Sequence, residues 1–209
     1  MSYGLKVLGT TGLLQIDDGY VMHHALSQGT VTSGSAVPSG SGILFIAPHT
    51  ATGSVGGSPT SSNVFFSSSG SYSYVWMNTN PTPSASGYGL VIFNQNGTLV
   101  YDSNKKIMYP VLSYNYLEQP ASGTYAASKT IGVPPVLAGR KRYVAAYPLA
   151  YPWAIRINEA TYNEGYWIMN SVTINSSSVT IQTGPIDGGP PGSAGPFGGM
   201  NFFFADFVT

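Results

Sequence analysis

Apolar and polar residues alternate along several short stretches of this chain, which is the pattern of β-strands with one face turned to a core. The clearest stretch places Tyr72, Tyr74 and Trp76 on one face of a strand. The run from Ile43 to Ala47 is apolar throughout and is typical of a buried strand. Further strands are predicted in the second half, at residues 143–147, 153–157, 166–174, 179–183 and 201–209. No stretch of helical length carries a 3.6-residue period, so the pattern predicts strands and no long helix.

Segments rich in Gly, Ser and Pro separate these strands, at residues 30–42, 48–63, 78–87 and 184–199. Short strands with frequent turns predict an all-β fold, a sandwich or barrel-like arrangement of several short antiparallel strands. A length of 209 residues suits one domain spanning residues 1–209. The alternative is two lobes that share a core, an N-terminal lobe at 1–86 and a C-terminal lobe at 87–209.

The chain contains an internal repeat. Tyr3-Gly4-Leu5 recurs as Tyr88-Gly89-Leu90, and the match continues without a gap as far as Asp17 and Asp102. Six of the fifteen aligned positions are identical. We interpret the repeat as an internal duplication, and independent use of the same hairpin chemistry is the alternative.

Each copy of the repeat predicts a β-hairpin, over residues 3–17 and 88–102. In the second copy Asn96-Gly97 is a strong turn sequence, because both residues tolerate positive φ. Asp17 and Asp102 end the two hairpins, where a short carboxylate can accept hydrogen bonds from nearby backbone N–H groups.

Charged residues are scarce. They make up 8% of the chain, with 8 Lys+Arg balancing 8 Asp+Glu, where about 25% is typical. A net charge near zero favours association, because copies do not repel one another. A neutral surface fits a subunit of a homo-oligomer or of a larger assembly, with an ordinary secreted or low-charge protein as the alternative.

Cysteine is absent, which excludes disulfides and thiolate metal sites. The first residues, Met1 to Lys6, show no basic segment followed by an apolar one, as a secretion signal would. The longest apolar run is far too short to cross a bilayer. We therefore expect a soluble chain made in the cytoplasm, with no membrane insertion.

Acidic and histidine side chains do not form a recognisable catalytic or metal-binding pattern. Glu159 and Glu164 are the only close Glu pair, and Asn163 and Gly165 beside them predict a turn rather than a catalytic dyad. His23 and His24 point to opposite faces if they lie on a strand. Together with His49 they are predicted to be surface or strand-end residues.

Other chemical motifs are also missing. The serines of Pro38–Gly42 lie in a low-complexity loop and have no predicted base nearby. Residues 188–192 lack the lysine of a phosphate-binding loop. The one basic cluster, Arg140-Lys141-Arg142, is predicted to be a solvated hairpin tip, with phosphate contact as the alternative. We predict no catalytic residue, no cofactor, no metal ion and no nucleic-acid partner.

Aromatic residues are the best candidates for contacts between subunits. Aromatic side chains at alternating strand positions lie in a core or an interface more often than on a sugar-binding platform. The Gly184–Gly199 arm and its aromatic end form either an inter-subunit contact or a terminal core strand. The interface candidates are Phe202, Phe203, Phe204, Phe207, Tyr72, Tyr74 and Trp76.

The segment Ser86–Ser103 resembles a motif of small minor structural proteins of tailed bacteriophages. In that motif a Gly-Leu start, an Asn, a Gly turn and an aromatic-acid-Ser ending recur, often at the start of the chain and again near its middle. The first copy departs from it, because Gly9 replaces the Asn and Gln15-Ile16-Asp17 replaces the aromatic-acid ending. The resemblance covers the two hairpin segments and implies a tail-tip or tail-fibre component without catalysis.

These observations together predict a non-enzymatic virion structural protein that is assembled in the host cytoplasm. Its expected partners are other tail proteins and copies of itself. A carbohydrate-binding or receptor-binding module that contacts a host surface glycan is one alternative, and a head decoration protein is another. A hydrolase would need paired carboxylates in a cleft, which the sequence does not show.

Overall fold

A computed structural model describes residues 6–8, 14–17, 23–57, 63–78, 82–83, 89–106, 108–116, 127–150, 153–159, 162–185 and 200–208. About two-thirds of them are in β-strands, and one helical turn, α1 (Tyr147–Ala150), interrupts the strands of the second half. The strands are β1 (Lys6–Leu8), β2 (Leu14–Asp17), β3 (His24–Thr32), β4 (Ile43–Pro48), β5 (Gly53–Gly57), β6 (Phe65–Ser67), β7 (Ser71–Asn78), β8 (Val91–Phe93), β9 (Leu99–Asp102), β10 (Met108–Tyr116), β11 (Ala127–Gly132), β12 (Arg140–Ala145), β13 (Trp153–Glu159), β14 (Tyr162–Ile174), β15 (Ser178–Pro185) and β16 (Met200–Val208).

Two large antiparallel sheets form the body of the protein. Sheet I has the strand order β10-β16-β12-β4-β7-β3, and sheet II has the order β11-β15-β14-β5-β6, with β13 pairing to β14. The two hairpins, β1–β2 and β8–β9, are separate two-stranded sheets. The predicted all-β, sandwich-like fold is confirmed.

The main core lies between the two sheets. Sheet I contributes side chains such as Ile46 and Phe204, and sheet II contributes Val55, Val172 and Ile181, all of which are buried in one cluster. Successive side chains of a strand point to opposite faces, so the alternation seen in the sequence supplies one apolar face to this core. Burial of these faces is the main force that holds the sheets together.

The other face of sheet I is also buried, in a second cluster drawn from all six of its strands. Ala25 on β3 and Met108 on β10 both pack into it, although these strands are at opposite ends of the sheet order. The Ala25 N–H also donates to the Lys106 carbonyl oxygen at 2.9 Å, two residues before β10 begins. Sheet I therefore curls around this second cluster, which brings Ala25 on β3 to within hydrogen-bond distance of Lys106, just before β10. This explains why the run Ile43–Ala47 is apolar on both faces.

Both predicted hairpins are present. In the second, the Asn94 N–H donates to the Thr98 carbonyl oxygen at 2.9 Å, and Gly97 has φ +76°. The Asn94 side-chain oxygen accepts from the backbone N–H groups of Asn96 and Thr98, which fixes the turn. Asp102 accepts from the backbone N–H of Asn104, the kind of bond predicted for it. Residues 3–5 and 9–13 of the first hairpin and residue 88 of the second lie outside the described residues.

The two hairpins have the same register. Lys6 pairs with Asp17 as Val91 pairs with Asp102, and Leu8 pairs with Leu14 as Phe93 pairs with Leu99. In both hairpins the register shifts just before the third pair, at Leu8 and at Phe93. The two copies of the repeat therefore share their strand pairing as well as their sequence, including the position of the register shift.

The correspondence continues beyond the hairpins into sheet I. Each hairpin leads into a nine-residue edge strand, β3 or β10. Each edge strand carries one extra residue, Leu26 or Val111, where its register with the neighbouring strand shifts. These residues are separated along the chain by the same interval as Tyr3 and Tyr88. The order β3-β7-β4 on one side of the sheet centre thus mirrors β10-β16-β12 on the other.

Sheet II follows the same plan. Its centre is the antiparallel pair β5–β14, flanked by β6 and β15. The Val37 N–H donates to the Asn63 carbonyl oxygen at 2.9 Å, and the Val133 N–H donates to that of Ser177 at 3.0 Å. Both valines precede a proline. An approximate two-fold axis therefore relates the two halves, and it passes between the antiparallel central strands, β4 and β12 in sheet I and β5 and β14 in sheet II. Strand β13 has no counterpart among the described strands of the first half.

Residues 1–86 and residues 87–209 both contribute strands to the two large sheets. Strands of 1–86 and of 87–209 lie side by side in both sheets and share the main core. The halves are interlocked because the central strands of each sheet pair across the boundary, β4 with β12 and β5 with β14.

Candidate functional site

The aromatic interface candidates fall mostly in the interior. Phe202, Phe204 and Tyr72 are fully buried in the main core, and Tyr74 is nearly so. Phe207 is buried inside curled sheet I. Trp76 and Phe203 are half-buried and pack against the two clusters.

The aromatic end of the chain was predicted to be either an inter-subunit contact or a terminal core strand, and in the structure it is a core strand. β16 lies inside sheet I, between β10 and β12. Most of the Gly184–Gly199 arm, residues 186–199, lies outside the described residues. The stripe at Tyr72, Tyr74 and Trp76 occupies the corresponding strand of the other half, β7, so both sets of candidates serve the same core.

The basic cluster follows the predicted turn, where Gly139 has φ +73°, and its side chains make contacts with the rest of the fold. The Arg140 guanidinium lies 3.6 Å from the centre of the Tyr109 ring. Lys141 is half-buried, and its Nζ donates to the His49 carbonyl oxygen at 2.7 Å and to Ser73 Oγ at 2.9 Å. The prediction of a solvated tip is therefore wrong for Arg142, which is buried, whereas Arg140 and Lys141 are partly exposed and contact the sheet.

Arg142 is the most buried of the three. Its Nε and Nη2 donate to the two carboxylate oxygens of Asp206 at 2.9 and 3.1 Å, and Nη2 also donates to the Pro134 carbonyl oxygen at 2.8 Å. Nη1 is buried and has no hydrogen-bond partner. Register explains the pair, because Arg142 and Asp206 lie directly opposite each other on β12 and β16.

Ser73, Lys141 and Tyr143 form the arrangement nearest to a catalytic group in the described part of the chain. Tyr143 also hydrogen-bonds to Ser73, and burial lowers the pKa of Lys141 to about 8. A serine nucleophile, however, needs donors placed to stabilise the oxyanion that its attack creates. Ser73 lies mid-strand between β3 and β4, where the backbone groups belong to the sheet ladders. The cluster therefore ties β12 to β7 and to the residue after β4, and its geometry does not support acyl transfer.

This cluster gives a pH-dependent prediction for Lys141→Met. Because the folded-state pKa of Lys141 lies below its ordinary 10.5, the unfolded chain holds a proton between about pH 8 and 10.5 that the folded chain has lost. Wild-type stability should therefore rise with pH in this window relative to the variant, by on the order of 1 kcal/mol after allowance for solvent screening. Urea unfolding of both proteins at pH 7 and pH 9.5 measures the difference, and a constant difference would contradict the prediction.

Two of the three histidines differ in their burial. His24 begins β3, as a strand-end residue, but it is buried and its Nε2 accepts from the Asp102 backbone N–H at 3.2 Å. His49 is exposed. Glu159 ends β13, whereas Asn163 and Gly165 lie within β14, so the prediction of a turn at Asn163 and Gly165 is wrong. The side chains of Glu159 and Glu164 lie outside what the structure describes.

Two further findings concern metal ions and membranes. Among the described residues, no three His, Cys, Asp or Glu side chains are grouped so that they could hold a metal ion. In that same part of the chain no helix is long and apolar enough to cross a membrane.

Large apolar side chains on the surface are the feature that sequence reasoning missed. Apolar side chains that are about half exposed or more occur on β6, on the β8–β9 hairpin and in the turn before β12, among other places. The alternation pattern could not find them, because it predicts which residues share a face and not which faces are covered. The exposed residues are Leu26, Ile43, Phe66, Leu90, Phe93, Leu137, Tyr147 and Val208.

Comparison with known proteins identifies no relative of the chain. No protein-family model, curated protein or solved structure matches the chain.

Proposed function

We propose that the protein is a non-enzymatic structural component of a bacteriophage virion, in the tail-tip or tail-fibre region, and that it acts by binding neighbouring subunits. The observation that carries the proposal is the pair of Tyr-Gly-Leu hairpins. They are the segments that resemble the phage motif, and they share one register and one irregularity. A structural role also agrees with the described charges of β12, because Lys141 and Arg142 bind other parts of the same fold.

The distribution of charged residues supports a structural role in an assembly rather than a catalytic role. Arg142 and Asp206 neutralise each other in the interior, and Lys141 holds two strands and a loop together. The surface meanwhile carries exposed apolar side chains, which become buried when subunits join. The glycan-binding alternative relied on an aromatic platform, and Tyr72 and Tyr74 are core residues.

Fractionation of virus particles tests the proposal. Particles released from cells that carry the gene are separated on a density gradient, and an antibody raised against the purified chain locates it by blotting and by immunogold electron microscopy. We expect the chain to sediment with intact particles and the gold to lie on the tail. Gold on the capsid would favour the head-decoration alternative, and a chain found only in the soluble fraction would overturn the proposal.

A further inference from the structure

The turn of the β8–β9 hairpin carries the one Asn-Gly sequence of the chain, Asn96-Gly97. Both residues are exposed. An asparagine that precedes a glycine is prone to attack on its own side chain, because glycine has no Cβ to crowd the backbone nitrogen that attacks. The space around Gly97 is also open, since a Cβ built there would meet nothing within 4 Å.

The reaction at such a site needs only the chain itself and water. The Gly97 backbone nitrogen attacks Asn96 Cγ, so that the N–Cγ bond forms, the Cγ–Nδ2 bond breaks, and the proton of the nitrogen leaves with Nδ2 as ammonia. The product is a cyclic succinimide, which water opens at either carbonyl carbon. Opening at Cγ leaves an aspartate. Opening at the backbone carbonyl carbon leaves an isoaspartate, in which the main chain runs through Cβ and Cγ.

The folded turn restrains the atoms that would react. The Gly97 N–H donates to the Asn94 carbonyl oxygen at 3.0 Å. The Asn94 side-chain oxygen accepts from the N–H groups of Asn96 at 3.0 Å and of Thr98 at 2.9 Å. These bonds fix the backbone on both sides of the Asn96 side chain, and ring closure requires that backbone to rotate. Attack is therefore slow until the turn opens locally.

We propose that Asn96 is a site of spontaneous deamidation and that the Asn94 side chain sets its rate. Asn94 is a positioning residue, because its side chain holds the turn and exchanges no atom in the reaction. Either product adds a negative charge to residues 89–101, which contain no charged residue, and isoaspartate also lengthens the backbone within the turn. The hairpin that carries the phage-like motif thus changes chemically with age, whatever particle the chain belongs to.

Asn175 provides an internal reference in the turn between β14 and β15. It is followed by Ser176, whose side chain crowds the attacking nitrogen. The Asn175 Nδ2 group, which would have to leave, donates to Ser178 Oγ at 3.4 Å. We therefore expect Asn175 to deamidate more slowly than Asn96 in the same sample.

Peptide mapping by mass spectrometry tests the proposal. The wild type, Asn94→Ala and Asn94→Asp are incubated in mildly alkaline buffer, and the wild type is also incubated in concentrated urea. Conversion of Asn96 appears as a mass gain of one unit and as two products that separate on chromatography. We expect conversion to be several-fold faster in Asn94→Ala than in the wild type, and at least as fast in urea. Asn94→Asp keeps an acceptor oxygen and should stay close to the wild type.

Circular dichroism confirms that each variant is folded. A folded Asn94→Ala that converts Asn96 at the wild-type rate would overturn the proposal, and so would a wild type in which Asn175 converts first. If Asn94→Ala does not fold, the wild type decides, because equal rates for Asn96 in buffer and in urea would show that the turn exerts no control. None of these results bears on the virion proposal, which depends on where the chain sediments.

Discussion

Replacement of Asp206 by alanine should lower the free energy of unfolding by about 3–5 kcal/mol. The variant leaves the Arg142 guanidinium buried without its counter-charge, and the Arg142 side chain is only 1% exposed. The remaining bond from Nη2 to the Pro134 carbonyl oxygen cannot compensate for the charge. Urea unfolding monitored by tryptophan fluorescence measures the loss.

The double variant Arg142→Met/Asp206→Leu is the control. It removes both charges and keeps apolar side chains of similar length in their place. A buried pair replaced in this way often costs little or even stabilises, so the double variant should lie within about 2 kcal/mol of the wild type. If Asp206→Ala alone costs less than about 1 kcal/mol, the pair is not buried as described.

Gly42→Ala should be the other most damaging single change, with a loss of more than about 3 kcal/mol. Gly42 has φ +96°, which L side chains rarely adopt. An added Cβ would lie 2.0 Å from the backbone oxygen of Met77, so a strand backbone would have to move. Thermal and urea unfolding measure the loss.

Gly97→Ala is its matched control. Gly97 also has a positive φ, +76°, but a Cβ there would meet nothing within 4 Å. The control should therefore lose only the cost of a left-handed residue, about 1–2 kcal/mol. The difference between the two variants isolates the contact with β7, and equal losses would contradict the close approach of the strands.

Gly42 and the Arg142–Asp206 pair occupy corresponding positions in the two halves. Gly42 directly precedes β4 and approaches Met77 and Asn78 at the end of β7, just as Arg142 on β12 lies opposite Asp206 on β16. One half closes this corner of the fold with a backbone contact, and the other closes it with an ion pair. The two halves therefore share one strand-pairing pattern, but different residues stabilise it at this position.

The local part of the fold was predictable. Asn94 to Gly97 determine a hairpin through their own backbone preferences and hydrogen bonds, and alternation around Tyr74 determines a strand. The pairing of β4 with β12 was not predictable, because periodicity reports which residues share a face and not which strand lies beside them. For the same reason the repeat was visible in sequence only at the hairpins, although its register extends through both sheets.

The candidate site was predictable to a smaller degree. Aromatic alternation at Phe202 and Phe204 is equally compatible with a core and with an interface, and only the position of β16 inside sheet I distinguishes them. Charge in Arg140–Arg142 suggested solvent exposure, yet register places Arg142 opposite an aspartate. Exposure of Phe93 depends on how its hairpin packs against β3, which no local pattern contains.

Cryo-electron microscopy of purified particles tests the central claim, that this protein is a structural part of a virion, most directly. We predict that a reconstruction of the tail region contains density that fits the two-sheet body, in ordered contact with neighbouring subunits. A reconstruction in which other proteins account for all of the tail and capsid density would contradict the claim.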